Sequence, residues 1–243
     1  MRSIHTRLPA QRSRRAYAQH SPVWLFDLDN TLHDSSRSIF KVIDSKMTEA
    51  VASCLHVETD VANELRARYW RRYGATVIGL VKHHGVNATE FLHRSHDFDA
   101  KPLVHSESGL VRKFARLPGR KVLLTNAPHD YARDVLQALG LLPWFDMIWS
   151  IDHMQLQGQI RPKPSKALMR QVLARLGTPA SQVILVEDTL KNLKSARQMG
   201  IRTVHVFHPG TPFSALHSGR DSYVNLRVNS LGALLTGRRP LRR

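Results

Sequence analysis

Two kinds of hydrophobic pattern follow one another along the chain. Val23-Trp24-Leu25-Phe26 is an unbroken apolar run after Pro22, and it stops abruptly at Asp27-Leu28-Asp29-Asn30-Thr31. A short apolar run with a polar edge predicts a buried strand. Over residues 38–55 the pattern changes, with Ile39, Val42, Ile43, Met47, Val51 and Leu55 at helical spacing. Helical spacing continues around 60–72, 76–84 and 88–96 without strand-like alternation, so 37–105 reads as an all-helical insertion.

Beyond it the pattern alternates. A helix at 106–117 leads to Pro118-Gly119, and Lys121-Val122-Leu123-Leu124 reads as a strand ending in Thr125-Asn126. A helix at 130–139 stops at Gly140, before a strand near 146–150. Then come a helix at 165–176 stopped by Gly177, a strand at 183–186, a helix at 189–199 stopped by Gly200 and a strand at 202–206. Strands alternating with helices predict an α/β fold: a Rossmann-like, doubly wound parallel sheet with right-handed crossovers and ligands at the carboxyl ends of its strands. The expected organisation is a core of 23–36 and 106–230 and a helical insertion at 37–105. A disordered basic arm (1–22) and a basic C-terminal tail (231–243) flank these.

Composition narrows the class. Hydrophobic residues make up 42% of 243, enough for a core. No stretch approaches the length of apolar sequence that a membrane-spanning helix requires, and the first 22 residues lack the apolar run of a secretory signal. The single cysteine, Cys54, excludes an internal disulfide and a cysteine-based zinc site; a reducing, cytoplasmic setting is expected. The formal net charge is +17, and about half of it comes from Arg2, Arg7, Arg12, Arg14 and Arg15 at one end with Arg238, Arg239, Arg242 and Arg243 at the other. A basic surface attracts polyanions and phosphorylated metabolites alike.

The polar residues that follow the strands carry the chemistry. Asp27 and Asp29 follow the first strand, Thr125 and Asn126 the second, Lys163 lies in Arg161-Pro162-Lys163-Pro164, and Glu187-Asp188 follow Val183–Val186. In a parallel sheet all of them converge on one edge. Asp27, Asp29 and Asp188 would repel one another there unless a cation joined them, and hard oxygen ligands suit Mg2+ shared with a substrate phosphate. Lys163 and the Thr125 hydroxyl offer such a phosphate a charge and a hydrogen bond. One carboxylate can then act as nucleophile and another as acid and base.

Phe26-Asp27-Leu28-Asp29-Asn30-Thr31-Leu32 resembles the first motif of the haloacid dehalogenase-like hydrolase superfamily, and Thr125, Lys163 and Glu187-Asp188 resemble its second, third and fourth, in order. The resemblance covers residues 23–210. It implies Asp27 as nucleophile and metal ligand, and Asp29 as general acid and base whose backbone carbonyl also binds metal. It further implies Thr125, Asn126 and Lys163 around the phosphate, Asp188 as a direct metal ligand, Glu187 as a weaker or outer one, and Asn192 orienting that surround. It implies Mg2+ as the cofactor and makes 37–105 the superfamily's small helical cap. The acid at position 29 favours phosphatase over dehalogenase chemistry, because the superfamily's dehalogenases lack it. Within the insertion, Tyr73-Gly74-Ala75-Thr76, Gly79-Leu80-Val81-Lys82-His83-His84-Gly85, Phe98-Asp99 and His105 resemble the pyrimidine 5′-nucleotidase subgroup. The expectation is a Mg2+-dependent phosphomonoester hydrolase acting on a small phosphorylated metabolite, first a pyrimidine nucleoside 5′-monophosphate, through an aspartyl-phosphate. The alternatives are a phosphoglycolate or sugar-phosphate phosphatase, a phosphomutase, or a nucleic-acid-associated protein that uses its basic ends.

Overall fold

The computed structural model describes residues 21–207 and 222–237. The basic arm up to residue 20 and the arginines from 238 onward lie outside the described residues.

β1 (Val23–Phe26) leads into four helices: α1 (Ile39–Leu55), α2 (Thr59–Tyr73), α3 (Thr76–His84) and α4 (Ala88–Ser95). After a short turn of 3-10 helix at Lys101–Leu103 come α5 (Leu110–Arg116), β2 (Arg120–Leu124), α6 (His129–Ala138) and β3 (Met147–Trp149). A two-stranded hairpin, β4 (Gln155–Leu156) and β5 (Gln159–Ile160), precedes α7 (Lys166–Leu176). The chain continues through β6 (Val183–Glu187), α8 (Leu190–Gln198), β7 (Arg202–Val206), β8 (Leu226–Val228) and α9 (Leu231–Thr236). Among the described residues no helix is long and apolar enough to cross a membrane.

Six strands form one parallel sheet in the order β3-β2-β1-β6-β7-β8. β1 lies between β2 and β6, so the winding reverses direction there and opens a crevice at the strand ends. β1 is buried on both faces, which is why it reads as a continuous apolar run. Trp24 and Phe26 join Phe114 of α5 and Ala132, Val135 and Leu136 of α6 on one face. Val23 and Leu25 join Leu168, Met169 and Val172 of α7 and Leu193 of α8 on the other. The period of two along the strand sorts these residues between the layers.

The insertion has its own core. Ala50 and Val51 of α1, Ala62 and Tyr69 of α2, Val77 and Leu80 of α3, and Phe91 and Leu92 of α4 cluster with Ile151 from beyond β3. Its two connections to the sheet domain are tied together: the Asp34 N–H donates to the His105 carbonyl at 3.1 Å, and Ser38 Oγ pairs with His105 Nε2 at 3.1 Å. Gly74, left-handed at φ 80°, ends α2 against the loop after β5, where an added Cβ would stand 3.3 Å from the Lys163 carbonyl oxygen.

The structure departs from the sequence reading in places. The helix expected at 106–117 begins at Leu110, behind the left-handed Gly109 (φ 68°). Residues 231–236, expected to belong to the tail, form α9: Leu231 is buried, Ser230 Oγ caps the helix by accepting from the Ala233 N–H at 3.0 Å, and the Gly232 N–H donates to Glu107 Oε2 at 2.7 Å. The β4–β5 hairpin, with two residues in each strand, is too short to register, whereas β8 lies in the alternating run Val224-Asn225-Leu226-Arg227-Val228, a strand signal that the sequence reading lacks.

Candidate active site

The β1–β6 ladder carries one residue past β1: the Asp27 N–H donates to the Val186 carbonyl at 3.0 Å, placing Asp27 at the crevice beside the end of β6. The chain then turns sharply. Asn30 takes a left-handed conformation (φ 58°), which asparagine tolerates, and its Oδ1 accepts from both the N–H and the hydroxyl of Ser36 at 3.1 Å. Thr31 Oγ1 donates to Asp27 Oδ2 at 3.2 Å. At the end of β2 the Thr125 N–H donates to the Trp149 carbonyl at 3.0 Å, while Thr125 Oγ1 accepts from the Ala127 N–H at 3.0 Å. That leaves the Thr125 hydroxyl proton available to a ligand. Asn126 engages both ends of its amide with the Lys163 backbone: Oδ1 accepts from the N–H at 2.9 Å and Nδ2 donates to the carbonyl at 3.1 Å. Its side chain therefore braces the lysine loop.

Lys163 is 2% exposed, and its Nζ donates to Asp27 Oδ1 at 2.5 Å and to Glu187 Oε2 at 2.8 Å. Burial alone would lower its pKa; the charges of Asp27 and Glu187 outweigh burial and raise it, so the lysine stays protonated. The second Glu187 oxygen accepts from the Thr189 N–H at 3.1 Å, and half-buried Asp188 accepts from the Thr189 hydroxyl at 3.1 Å. One oxygen each of Asp27, Glu187 and Asp188 lies within 4.8 Å of the others. Burial, then the charge of Glu187, pushes Asp27 up to about 7, and burial with the charges of Glu187 and Asp27 raises Asp188. One lysine does not balance three carboxylates in so dry a place, and hard oxygen donors at this spacing fit a divalent cation.

The Asp29 carboxylate stands apart from that triad. Its Oδ1 accepts from the Tyr131 hydroxyl at 2.7 Å and the Ser35 hydroxyl at 2.8 Å, and pairs with His33 Nε2 at 3.2 Å. Burial would raise its pKa, but His33 above all, then Tyr131 and Ser35, bring it below the ordinary carboxylate value. Just beyond α4, His96 meets the Tyr131 ring edge-on at 5.3 Å.

The fold thus gathers Asp27, Lys163, Glu187 and Asp188 at one point, with Thr125 and Asn126 beside them and the Asp29 side chain in a neighbouring network. Asn192 is buried on α8 (7% exposed) but makes no hydrogen bond to the carboxylates among the described residues. His83 and His84 pair with Tyr73 and Tyr69 at 2.6 and 2.7 Å within the helical insertion. Sequence reasoning missed Tyr131, His33 and Ser35. The polar run His33-Asp34-Ser35-Ser36 directly after the first motif was a usable signal, whereas Tyr131 sits on the apolar face of α6 and reads as core.

Comparison with known proteins agrees with this geometry. Residues 23–200 match the family model described as haloacid dehalogenase-like hydrolase. A phosphoglycolate phosphatase of Pectobacterium atrosepticum is 28% identical over 192 residues, 74% of this chain and 77% of that protein. A phosphoglycolate phosphatase of Neisseria gonorrhoeae is 23% identical over 79% of this chain and 82% of its own length. Among solved structures, a HAD phosphatase from Thermococcus onnurineus shares the fold with a TM-score of 0.59 at 18% identity, covering 88% of this chain and 95% of that one. With Asp27 directly after β1, the Lys163 loop and the acidic end of β6 meeting where the sheet reverses, and a family match across those same elements, the chain belongs to the haloacid dehalogenase-like hydrolases.

Proposed function

We propose that the protein is a Mg2+-dependent phosphomonoester hydrolase that works through an aspartyl-phosphate on Asp27. The observation that carries this reading is the position of Asp27: buried at the reversal point of the sheet, 2.5 Å from the ammonium of Lys163, with a second carboxylate two residues along held in a separate network. Asp27 attacks the phosphorus while Lys163 balances charge on the phosphoryl oxygens and the Thr125 hydroxyl donates to one of them. Asn126 keeps Lys163 in register. Asp29 protonates the departing alcohol, then takes a proton from the water that attacks the aspartyl-phosphate. Asp27, Asp188 and the Asp29 carbonyl would hold Mg2+, with Glu187 and Asn192 behind them, and the ion would supply positive charge to the phosphoryl oxygens.

The leading substrate is a pyrimidine nucleoside 5′-monophosphate, on the likeness of the cap segment from Tyr73 to Gly85 to that nucleotidase subgroup. Phosphoglycolate is the second reading, favoured by the names of the two relatives above. Phosphate release from UMP, CMP, dTMP, AMP, phosphoglycolate and sugar phosphates, with Mg2+ or with EDTA and with Asp27→Asn as control, tests both. Pyrimidine preference lost in the variant supports the first. Turnover confined to phosphoglycolate replaces the substrate and keeps the mechanism. Turnover unaffected by Asp27→Asn or by EDTA refutes the mechanism.

A further inference from the structure

Three donors meet on a single oxygen of Asp29. The hydroxyls of Tyr131 and Ser35 and the Nε2 of His33 lie 2.7, 2.8 and 3.2 Å from Oδ1. A carboxylate oxygen has two lone-pair directions, so Oδ1 is saturated. Oδ2 accepts no hydrogen bond from the described residues, although 21% of the side chain is exposed.

The proton positions in this cluster follow from counting. Ser35 Oγ, His33 Nε2 and Asp29 Oδ1 all lie within hydrogen-bond distance of one another, the third side of the triangle being 3.0 Å. The carboxylate only accepts, so two protons are needed if no two lone pairs are to face each other. Ser35 supplies one and His33 Nε2–H the other. His33 Nδ1 is buried without a partner among the described residues, a cost consistent with a ring held for the donor on its other nitrogen. Tyr131 is buried (5% exposed), and burial with the nearby Asp29 charge raises its pKa well above the ordinary value, so it stays a donor.

We propose that Tyr131 is a positioning residue: with Ser35 and His33 it clamps Oδ1 of Asp29, so that Oδ2 alone gives and takes the proton in phosphoryl transfer. The inference rests on the acid–base role proposed for Asp29. Oδ2 takes a proton from solvent before the ester reacts; in the first half-reaction the bond from Asp27 to phosphorus forms as the ester P–O bond breaks, and that proton passes to the departing oxygen. In the second, Oδ2 takes a proton from water as the water oxygen bonds to phosphorus and the Asp27 carboxylate leaves. The clamp is backed by two further rings: His96 packs on the Tyr131 ring at 5.3 Å, and Phe98 at 6.0 Å. A pose of the cap that withdraws these rings withdraws the support of Tyr131.

The test compares leaving groups. 4-Nitrophenolate departs from phosphorus without a proton, whereas the alkoxides of UMP and phosphoglycolate need one. Tyr131→Phe removes only the hydroxyl, and Ser35→Ala is the second variant should the first fold poorly by circular dichroism. In either variant kcat/KM for whichever alkyl ester the wild type hydrolyses falls about 10- to 100-fold, while that for 4-nitrophenyl phosphate stays within about threefold. Asp29→Asn shows the same split, more deeply. A split in Asp29→Asn but equal losses on both esters, or none, in Tyr131→Phe and Ser35→Ala overturns the clamp and leaves the role of Asp29 standing. Absence of a split in Asp29→Asn removes the acid–base role, and the clamp with it.

Discussion

Replacing Lys163 by methionine keeps the length of the side chain and deletes the one cation packed among the carboxylates. At an effective dielectric constant of about 20, unit charges at the observed 2.5 and 2.8 Å attract by roughly 6 kcal/mol each. Desolvation of a lysine that is 2% exposed takes back much of that, and removing one member of a buried pair typically costs about 3–5 kcal/mol. The loss depends on pH, with a sign fixed by Asp27. Burial and Glu187 push that carboxyl up to about 7, so below this pH it becomes neutral and its attraction to Lys163 is lost in the wild type too. Urea unfolding in EDTA is therefore expected to show Lys163→Met less stable by about 3–5 kcal/mol near pH 9, and by clearly less near pH 6. With Mg2+ present, kcat/KM for the preferred phosphate ester falls about 100- to 1000-fold, as when a preorganised group that stabilises developing charge is removed. A loss below about 1 kcal/mol that is flat across this pH range would mean that Lys163 behaves as a solvated surface lysine, and the electrostatic account of the site would be wrong.

Other outcomes follow from single contacts. Asn126→Ala leaves the buried Lys163 N–H and carbonyl without their partners at 2.9 and 3.1 Å, so stability drops by about 2 kcal/mol in urea unfolding and kcat/KM falls as the lysine loop loosens; unchanged turnover would show that the loop holds itself. Burial depresses the pKa of His96 from 6.5 to about 4 against the opposing charge of Asp29. Between those pH values the unfolded chain binds the extra proton, so the folded state loses stability as pH falls. Relative to His96→Gln, the wild type should lose about 3 kcal/mol more between neutral pH and pH 4, and parallel curves would contradict the burial of that ring. Gly79→Ala places a Cβ 2.1 Å from Cγ of Tyr69; overpacking of about 1–3 kcal/mol exceeds a helix-propensity gain of about 1 kcal/mol, so Tm falls, whereas a rise would mean that α3 docks loosely.

The legible parts of this protein are those written in local patterns. The apolar run Val23–Phe26 announced a strand buried on both faces, and its abrupt polar end announced the residues at the crevice. Asp27, Lys163, Glu187 and Asp188 were readable because each directly follows a hydrophobic segment or stands in a rigid proline frame. Tyr131 was not, because a tyrosine at helical spacing among Ala132, Val135 and Leu136 has the same period whether its hydroxyl finds a partner or not. Asn126 was readable as a member of the loop and illegible as the brace of Lys163, since that role needs a backbone 37 residues away.

The order of strands and helices, the helical insertion and the types of chemistry at the strand ends were determined by the sequence itself, since periodicity and abrupt polar edges are properties of neighbouring residues. Tertiary structure alone decided which polar groups meet: Lys163 with Asp27 across 136 residues, and Tyr131 with Asp29 across 102. It also decided that Leu231–Thr236 is a packed helix whose N-terminus meets Glu107. Such pairings depend on how right-handed crossovers stack helices against a twisted sheet, and no local pattern records that distance.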